Sequence, residues 1–264
     1  MMHGTRLFAA IFLGILAPAA IAAETRDAAG LDIVGFNGRG LFFGIEQYGL
    51  RHPGGRPVRR ILDAPADDAM VPYSEIRIYD LRADAEIRRS PFIVDLKKKI
   101  PAGVTVRQAI RRARDENYLA ARRVIRYLTL VPRGKAFKPR GKGAEKTMFI
   151  AAPGLSGGLV LRTFPLTGNA CPGIPTRGYE LTLSTQKGDV LIHRDRTLPQ
   201  SRGCPRDYAL VRAIVYLPHP DMRSLAVILA ARQAEAAPRT EAARKKTGRL
   251  RYIVTGHLFG RHGE

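Results

Sequence analysis

Three stretches carry residue types able to do chemistry. His193 and Asp195 stand two apart at the end of an apolar run, and His219 and Asp221 repeat that spacing between prolines. Two imidazoles and two carboxylates could bind a metal or run acid–base chemistry if their loops met. Residues i and i+2 at a strand end share a face by default, so hydrogen-bonding or surface histidines are the plainer reading. Gly154-Leu155-Ser156-Gly157-Gly158 fits G-x-S-x-G. A nucleophile elbow needs a strand before that serine and a helix after it, whereas Leu159 to Phe164 reads as a strand. A chymotrypsin-like site would need aspartate where Leu155 stands, and its only upstream histidine in the mature chain is His52. A Gly-rich turn is expected instead. His257 and His262, near the Gly-rich C-terminus, are expected to face solvent. There is no Walker loop, dinucleotide fingerprint or zinc-finger spacing, so no cofactor, metal site or catalytic residue is assigned. A hydrolase using Ser156 or a His193/Asp195/His219 set is the alternative to a non-enzymatic module.

The start of the chain bears on the compartment. Arg6, the apolar run Leu7 to Leu16 and the small residues Ala17 to Ala22 have the three parts of a secretory signal peptide. Residues 1–22 are therefore read as a leader cleaved after Ala22, and 23–264 as one exported domain, periplasmic or secreted. The apolar run is short for a bilayer span, and no later stretch is long or apolar enough. Cys171 and Cys204 are the only cysteines. An even pair in an oxidising compartment argues for a disulfide over a metal site or reactive thiol; two free thiols are the alternative. A bridge would tie the loop before one hairpin to the loop after it. Closing that loop is worth roughly 4 kcal/mol on the chain-entropy account.

Charge is the other strong feature. The chain holds 44 Lys and Arg against 23 Asp and Glu, a net +21, and loss of the leader removes only Arg6. Such a field attracts polyanions in a salt-dependent way, although Ala- and Arg-rich composition alone gives the same total. Pro132 to Lys146 is a basic Gly/Pro-rich loop, and Arg133, Lys135, Lys138, Arg140 and Lys142 are the candidate contacts for an anionic envelope polymer. Another envelope protein is the other partner considered.

The elements that must position these groups are mostly strands. Leu31–Phe36 and Leu41–Tyr48 flank an Asn-Gly turn, and Ser74–Leu81 and Pro91–Leu96 extend the same antiparallel sheet, about 31–96. In Ser74–Leu81, Ile76 and Ile78 take one face and Glu75 and Arg77 the other. His52 to Val71 reads as a long exposed loop. Thr105 and Gln108 form a capping box that opens a helix of about 105–130. Its apolar face holds Val106, Ala109, Ile110, Ala113, Ala120, Ala121, Val124 and Leu128, interrupted by Asn117, with Arg107, Arg111, Arg114, Arg122 and Arg126 on another side. Strands resume over about 147–260, with Tyr179, Leu181 and Leu183 alternating against Glu180, Thr182 and Ser184. Gln233 to Gly248 is a low-complexity excursion. The class is mainly β (α+β): antiparallel sheets, as a sandwich or a partial propeller, with one long amphipathic helix packed on them.

Four stretches taken together, GFNGRGLFFGIEQYG (Gly35–Gly49), VPYSEIRIYDL (Val71–Leu81), LPQSRGCPRDY (Leu198–Tyr208) and RYIVTGH (Arg251–His257), are similar to domain-of-unknown-function family 2259, predicted secreted proteins. The order is the same over most of the mature chain, and the SRGCP loop is its most specific element. The resemblance implies export and a bridge from Cys171 to Cys204, and brings no activity, cofactor or catalytic residue. The basic loop Lys135–Lys146 and the Gln233–Gly248 excursion depart from it. Separately, Gly35–Leu41 followed by SEIRIYDL is similar to one blade of a TolB-like propeller.

Overall fold

The computed structural model describes residues 30–51, 71–96, 103–140, 146–166, 171, 174–199, 202–234 and 250–260. The expected leader, the loop 52–70 and nearly all of the Gln233–Gly248 excursion lie outside these residues. The elements are β1 (Gly30–Phe36), β2 (Phe42–Arg51), β3 (Val71–Asp80), β4 (Ala85–Glu86), β5 (Phe92–Asp95), α1 (Val106–Tyr127), β6 (Lys135–Phe137), β7 (Thr147–Ala152), β8 (Leu155–Pro165), β9 (Arg177–Thr185), β10 (Gly188–Arg194), β11 (Pro205–His219), β12 (Met222–Gln233) and β13 (Leu250–Phe259).

All pairings between these strands are antiparallel. An N-terminal sheet runs β1-β2-β3-β4, with β5 also on β3. A central sheet runs β13-β12-β11-β6, and an outer sheet β10-β9-β8-β7. The sheets stack as layers, the sandwich side of the expectation. Helix α1 covers one face of the N-terminal sheet, where Ile76 and Ile78 meet Ala121 and Ile125. The other face packs Phe43, Ile45 and Tyr79 on Ile214, Ala226 and Ile228 of the central sheet. The opposite face of the central sheet, with Val215, Leu225, Val227 and Leu229, packs on Leu159, Leu161, Leu181 and Leu183.

The central sheet is thus covered on both faces, which is why Leu225–Ala230 of β12 is a nearly unbroken apolar run. Alternation still operates inside it: Leu225, Val227 and Leu229 point one way, Ala226 and Ile228 the other. A bulge between Leu210 and Arg212 in β11 resets that alternation. The half-buried pattern expected for Tyr179, Leu181 and Leu183 holds, all three being fully buried.

Helix α1 opens with both halves of the capping box, Thr105 and Gln108. Two positions differ from the expected apolar stripe. Ala120 is exposed and Ile125 is buried instead. Asn117, the apparent interruption, is fully buried; its Nδ2 donates to Ser74 Oγ (2.8 Å) and to the Phe92 carbonyl (3.1 Å), tying the helix to β3 and β5. Arg114 leaves the arginine side and lies half-buried against Glu46 (2.8 Å) and Asp32. The chain leaving α1 returns to β1, where Phe36 and Val131 exchange both backbone hydrogen bonds at 3.0 Å. Gly35 is required beside them: its φ is +120°, and a Cβ there would lie 1.9 Å from the Val131 carbonyl oxygen.

The basic loop is more ordered than expected. Lys135–Phe137 pairs with Val215–Ala213 as the edge strand of the central sheet. A short lysine-bearing edge is a common protection against strand addition. Lys135 Nζ donates to the Ala151 carbonyl (3.1 Å), and Lys146 Nζ to Asp207 (2.7 Å).

Candidate functional site

The densest ionisable cluster joins all three sheets. Asp84 sits in the turn between β3 and β4 at φ +46°. Its Oδ1 accepts from Thr255 Oγ1 (2.8 Å) and Gly256 N (2.9 Å) on β13, and its Oδ2 meets His193 Nδ1 from β10. On the other side of the imidazole, Nε2 lies 2.9 Å from Asp195 Oδ1. Asp195 also pairs with Arg202 and accepts from the Tyr179 backbone N–H (2.9 Å). The Tyr179 ring stacks on His193 (centroids 4.7 Å apart), touches Tyr208 and lies under the Arg202 guanidinium.

The sequence builds this locally. A disulfide joins Cys171 to Cys204, with Cα atoms 5.7 Å apart, and so anchors the SRGCP loop that carries Arg202. Gly256 lets the strand approach closely: a Cβ there would sit 2.3 Å from Leu81 Cδ2 and 3.0 Å from the Leu225 carbonyl. Burial works against a charged His193, but the hydrogen bonds to Asp195 and Asp84 outweigh it and hold its pKa above the ordinary value. For Asp195, burial opposes ionisation, yet His193, Arg202 and the Tyr179 N–H keep it below the usual carboxylate range. Desolvation raises Tyr208 to about 12.

This geometry is a strut rather than a reactive centre. Both imidazole nitrogens are engaged, the side chain is 15% exposed, and Asp195 is 2% exposed. The two carboxylates sit on opposite ring nitrogens and do not converge on a common point. Among the described residues no three His, Cys, Asp or Glu side chains form a metal-binding group.

Of the proposed His193/Asp195/His219 and Ser156 sets, His193 and Asp195 come together and the others do not join them. His219 is exposed at the end of β11, 3.7 Å from Asp221, and does not join them. Ser156 is exposed on β8, paired with Ala151, and a strand rather than a helix follows it. Register carries His193 across to Leu181 and Leu161 on the inner face, so by alternation Ser156 lies on the opposite face of the outer sheet. The proposed serine and histidine sets are not assembled. His257 is half-buried on β13 against Phe259, not solvent-facing, and burial lowers its pKa; His262 lies outside the described residues. Arg133, Lys135, Lys138 and Arg140 are exposed, and Lys142 lies outside the described residues.

Sequence reasoning missed Asp84 and Arg202. Arg202 stood inside the most specific loop and beside a cysteine, which was the available signal. Asp84 offered none: it reads as an ordinary turn residue.

A second arrangement concerns the surface. Glu46, Glu75 and Asp195 are buried in ion pairs with Arg114, Arg77 and Arg202. Among the described carboxylates Asp115 and Asp189 are exposed, and the side chains of Asp32, Glu116 and Asp207 are 49%, 42% and 39% exposed, against twenty exposed lysines and arginines among the described residues. The exterior of the described residues is therefore strongly cationic.

A β-rich chain with one disulfide belongs to the class of proteins suited to an oxidising compartment, and no helix among the described residues is long and apolar enough to cross a membrane. Over residues 66–240 the chain matches the family described as "Predicted secreted protein (DUF2259)", and it belongs to that family. No curated protein and no solved structure matches it.

Proposed function

We propose that this is a non-enzymatic binding module of the periplasm or extracellular space, freed by cleavage after Ala22, acting as one domain on anionic envelope polymers. The observation that carries the reading is the segregation of charge. Glu46, Glu75 and Asp195 are held in ion pairs with arginines while twenty described lysines and arginines remain exposed, leaving a surface field suited to a polyanion. Arg133, Lys135, Lys138 and Arg140 form one basic part of that exterior and, with Lys142 outside the described residues, are the proposed polymer contacts. Elution from a heparin column tests the reading. The protein is expected to require more salt than a control of matched net charge whose acidic and basic residues are mixed on its surface. Elution no later than that control contradicts it.

A further inference from the structure

The edge of a β-sheet is where one chain can extend into another, and this molecule blunts most of its edges. Strand β1 has a bulge between Ile33 and Gly35 and carries Asp32, held by Arg114. Strands β4, β5 and β6 are short, and each carries a charged residue. Strand β10 carries Asp189 and Arg194. On β13, Gln47 accepts from Tyr252 N–H (3.0 Å) and Asp84 from Gly256 N–H (2.9 Å), so side chains from the N-terminal sheet occupy that edge. Lys146 reaches the Tyr208 carbonyl of β11, beyond the stretch that β6 covers.

Strand β7 is the exception. Its sequence, Thr147-Met148-Phe149-Ile150-Ala151-Ala152, holds no charge and no proline, and its pairing with β8 has no bulge. Met148, Ile150 and Ala152 are buried, while Thr147, Phe149 and Ala151 are exposed. The Leu161 N–H donates to the Lys146 carbonyl (2.7 Å), so by alternation Met148, Ile150 and Ala152 aim their backbone groups at β8. Thr147, Phe149 and Ala151 aim theirs away from the sheet. Lys135 Nζ, which donates to the Ala151 carbonyl (3.1 Å), marks that outward side and caps one acceptor near its end. The Phe149 side chain is 59% exposed. Its cross-strand neighbour is Gly158, where a Cβ would meet nothing within 4 Å.

We propose that β7 is a docking edge for an extended, acidic segment of another protein, which adds a strand to the outer sheet. A row of outward backbone donors and acceptors matches another backbone better than it matches side chains or sugars. A β-branched or aromatic side chain opposite Phe149 supplies the cross-strand pair that Gly158 does not. Charge selects an acidic chain. Lys135 stands at the C-terminal end of β7, and Arg223 donates to the Pro153 carbonyl just beyond it (3.0 Å). A second copy, at net +21, brings like charge to the same place. The interaction stands apart from the polymer reading, because main-chain hydrogen bonds rather than the charge field are its base.

A fluorescein-labelled peptide alternating valine and threonine and ending in a run of glutamates, followed by anisotropy, tests this. It is expected to bind, and proline in place of alternate residues should weaken it at least about tenfold by removing main-chain donors. Glutamine in place of the glutamates should weaken it about threefold at low salt. In the protein, T147P/A151P removes two outward N–H groups and leaves the ladder to β8 intact; it is expected to weaken the peptide about tenfold, and F149T about fivefold. Circular dichroism checks that each variant is folded. No binding, or equal binding of the proline-substituted peptide, would overturn the docking edge whatever the fate of T147P/A151P. Equal binding of the glutamine peptide at low salt would overturn the acidic assignment. Dimerisation in sedimentation velocity with no peptide bound would give the edge to a second copy and overturn the proposal.

Discussion

The two faces of the central sheet differ in how buried polar groups are spread among their apolar contacts. Toward the outer sheet apolar contacts dominate, with Val215, Leu225, Val227 and Leu229 meeting Leu159, Leu161, Leu181 and Leu183, and the His193–Asp195–Arg202 cluster joined through Asp84 to Thr255 is the polar exception. Toward the N-terminal sheet, apolar contacts share the layer with buried polar struts. Arg77, 3% exposed, pairs with Glu75 and Glu86, and Glu75 also meets Arg251 of β13 (3.6 Å). Gln47 donates to the Leu250 carbonyl (2.9 Å) and accepts from Tyr252 N–H (3.0 Å), satisfying the open edge of β13 much as another strand would. Burying apolar groups is non-directional, so one face tolerates many arrangements. The other admits few, because each buried charge needs its own partner.

The sharpest way to break this comparison is Arg77→Met. It leaves buried Glu75 and partly buried Glu86 without their main partner and is expected to cost about 4 kcal/mol in urea unfolding, whereas replacing all three by apolar residues of similar volume should cost much less. An equal cost for both variants would mean that shape rather than charge pairing matters there. Reducing the Cys171–Cys204 bridge removes a constraint worth roughly 4 kcal/mol at most, since part of it can be offset in the native loop, and thermal unfolding should move down by about 10 °C. On the apolar face, Leu183→Ala is expected to cost about 3 kcal/mol through transfer and cavity terms.

A smaller effect concerns pH. His193 is raised from 6.5, so its stabilising contribution is complete below pH 6.5 and is lost as pH rises through its folded pKa. Asp195 is lowered from 3.8, so its contribution is present above pH 3.8 and is lost as pH falls through its folded pKa. The strut is therefore strongest between 3.8 and 6.5. His257 has a depressed pKa and acts in the opposite direction near neutrality. Subtracting the stability–pH curve of H193Q from that of the unmodified protein should isolate a difference that shrinks above pH 6.5; a flat difference would contradict the ionic strut. Smallest of all, Ser156→Ala and His219→Ala, both exposed, should shift stability by no more than about 0.5 kcal/mol.

Legibility in the sequence followed the same division. Regular elements driven by period were readable: the Tyr179–Leu183 alternation, the Thr105–Gln108 cap and the strands flanking Asn37-Gly38 all form where expected. Glu75 and Arg77 were readable only as the polar side of β3. A buried ion-paired face and a solvated face have the same pattern along one strand, and only the arrival of β13 across the layer distinguishes them. Asn117 has the same explanation, because its partners Ser74 and Phe92 belong to other elements. His193 and Asp195 were found by their spacing. Their roles depend on Asp84 and Arg202, which local spacing gave no reason to join.

Charge segregation can be read most directly by labelling carboxylates under native conditions with a carbodiimide and glycine ethyl ester, then locating the adducts by mass spectrometry. Among the described carboxylates, Asp115 and Asp189 should label readily, with Glu75, Glu46 and Asp195 protected until the protein unfolds. Rapid labelling of Glu75, Glu46 and Asp195 in the folded protein would contradict the account.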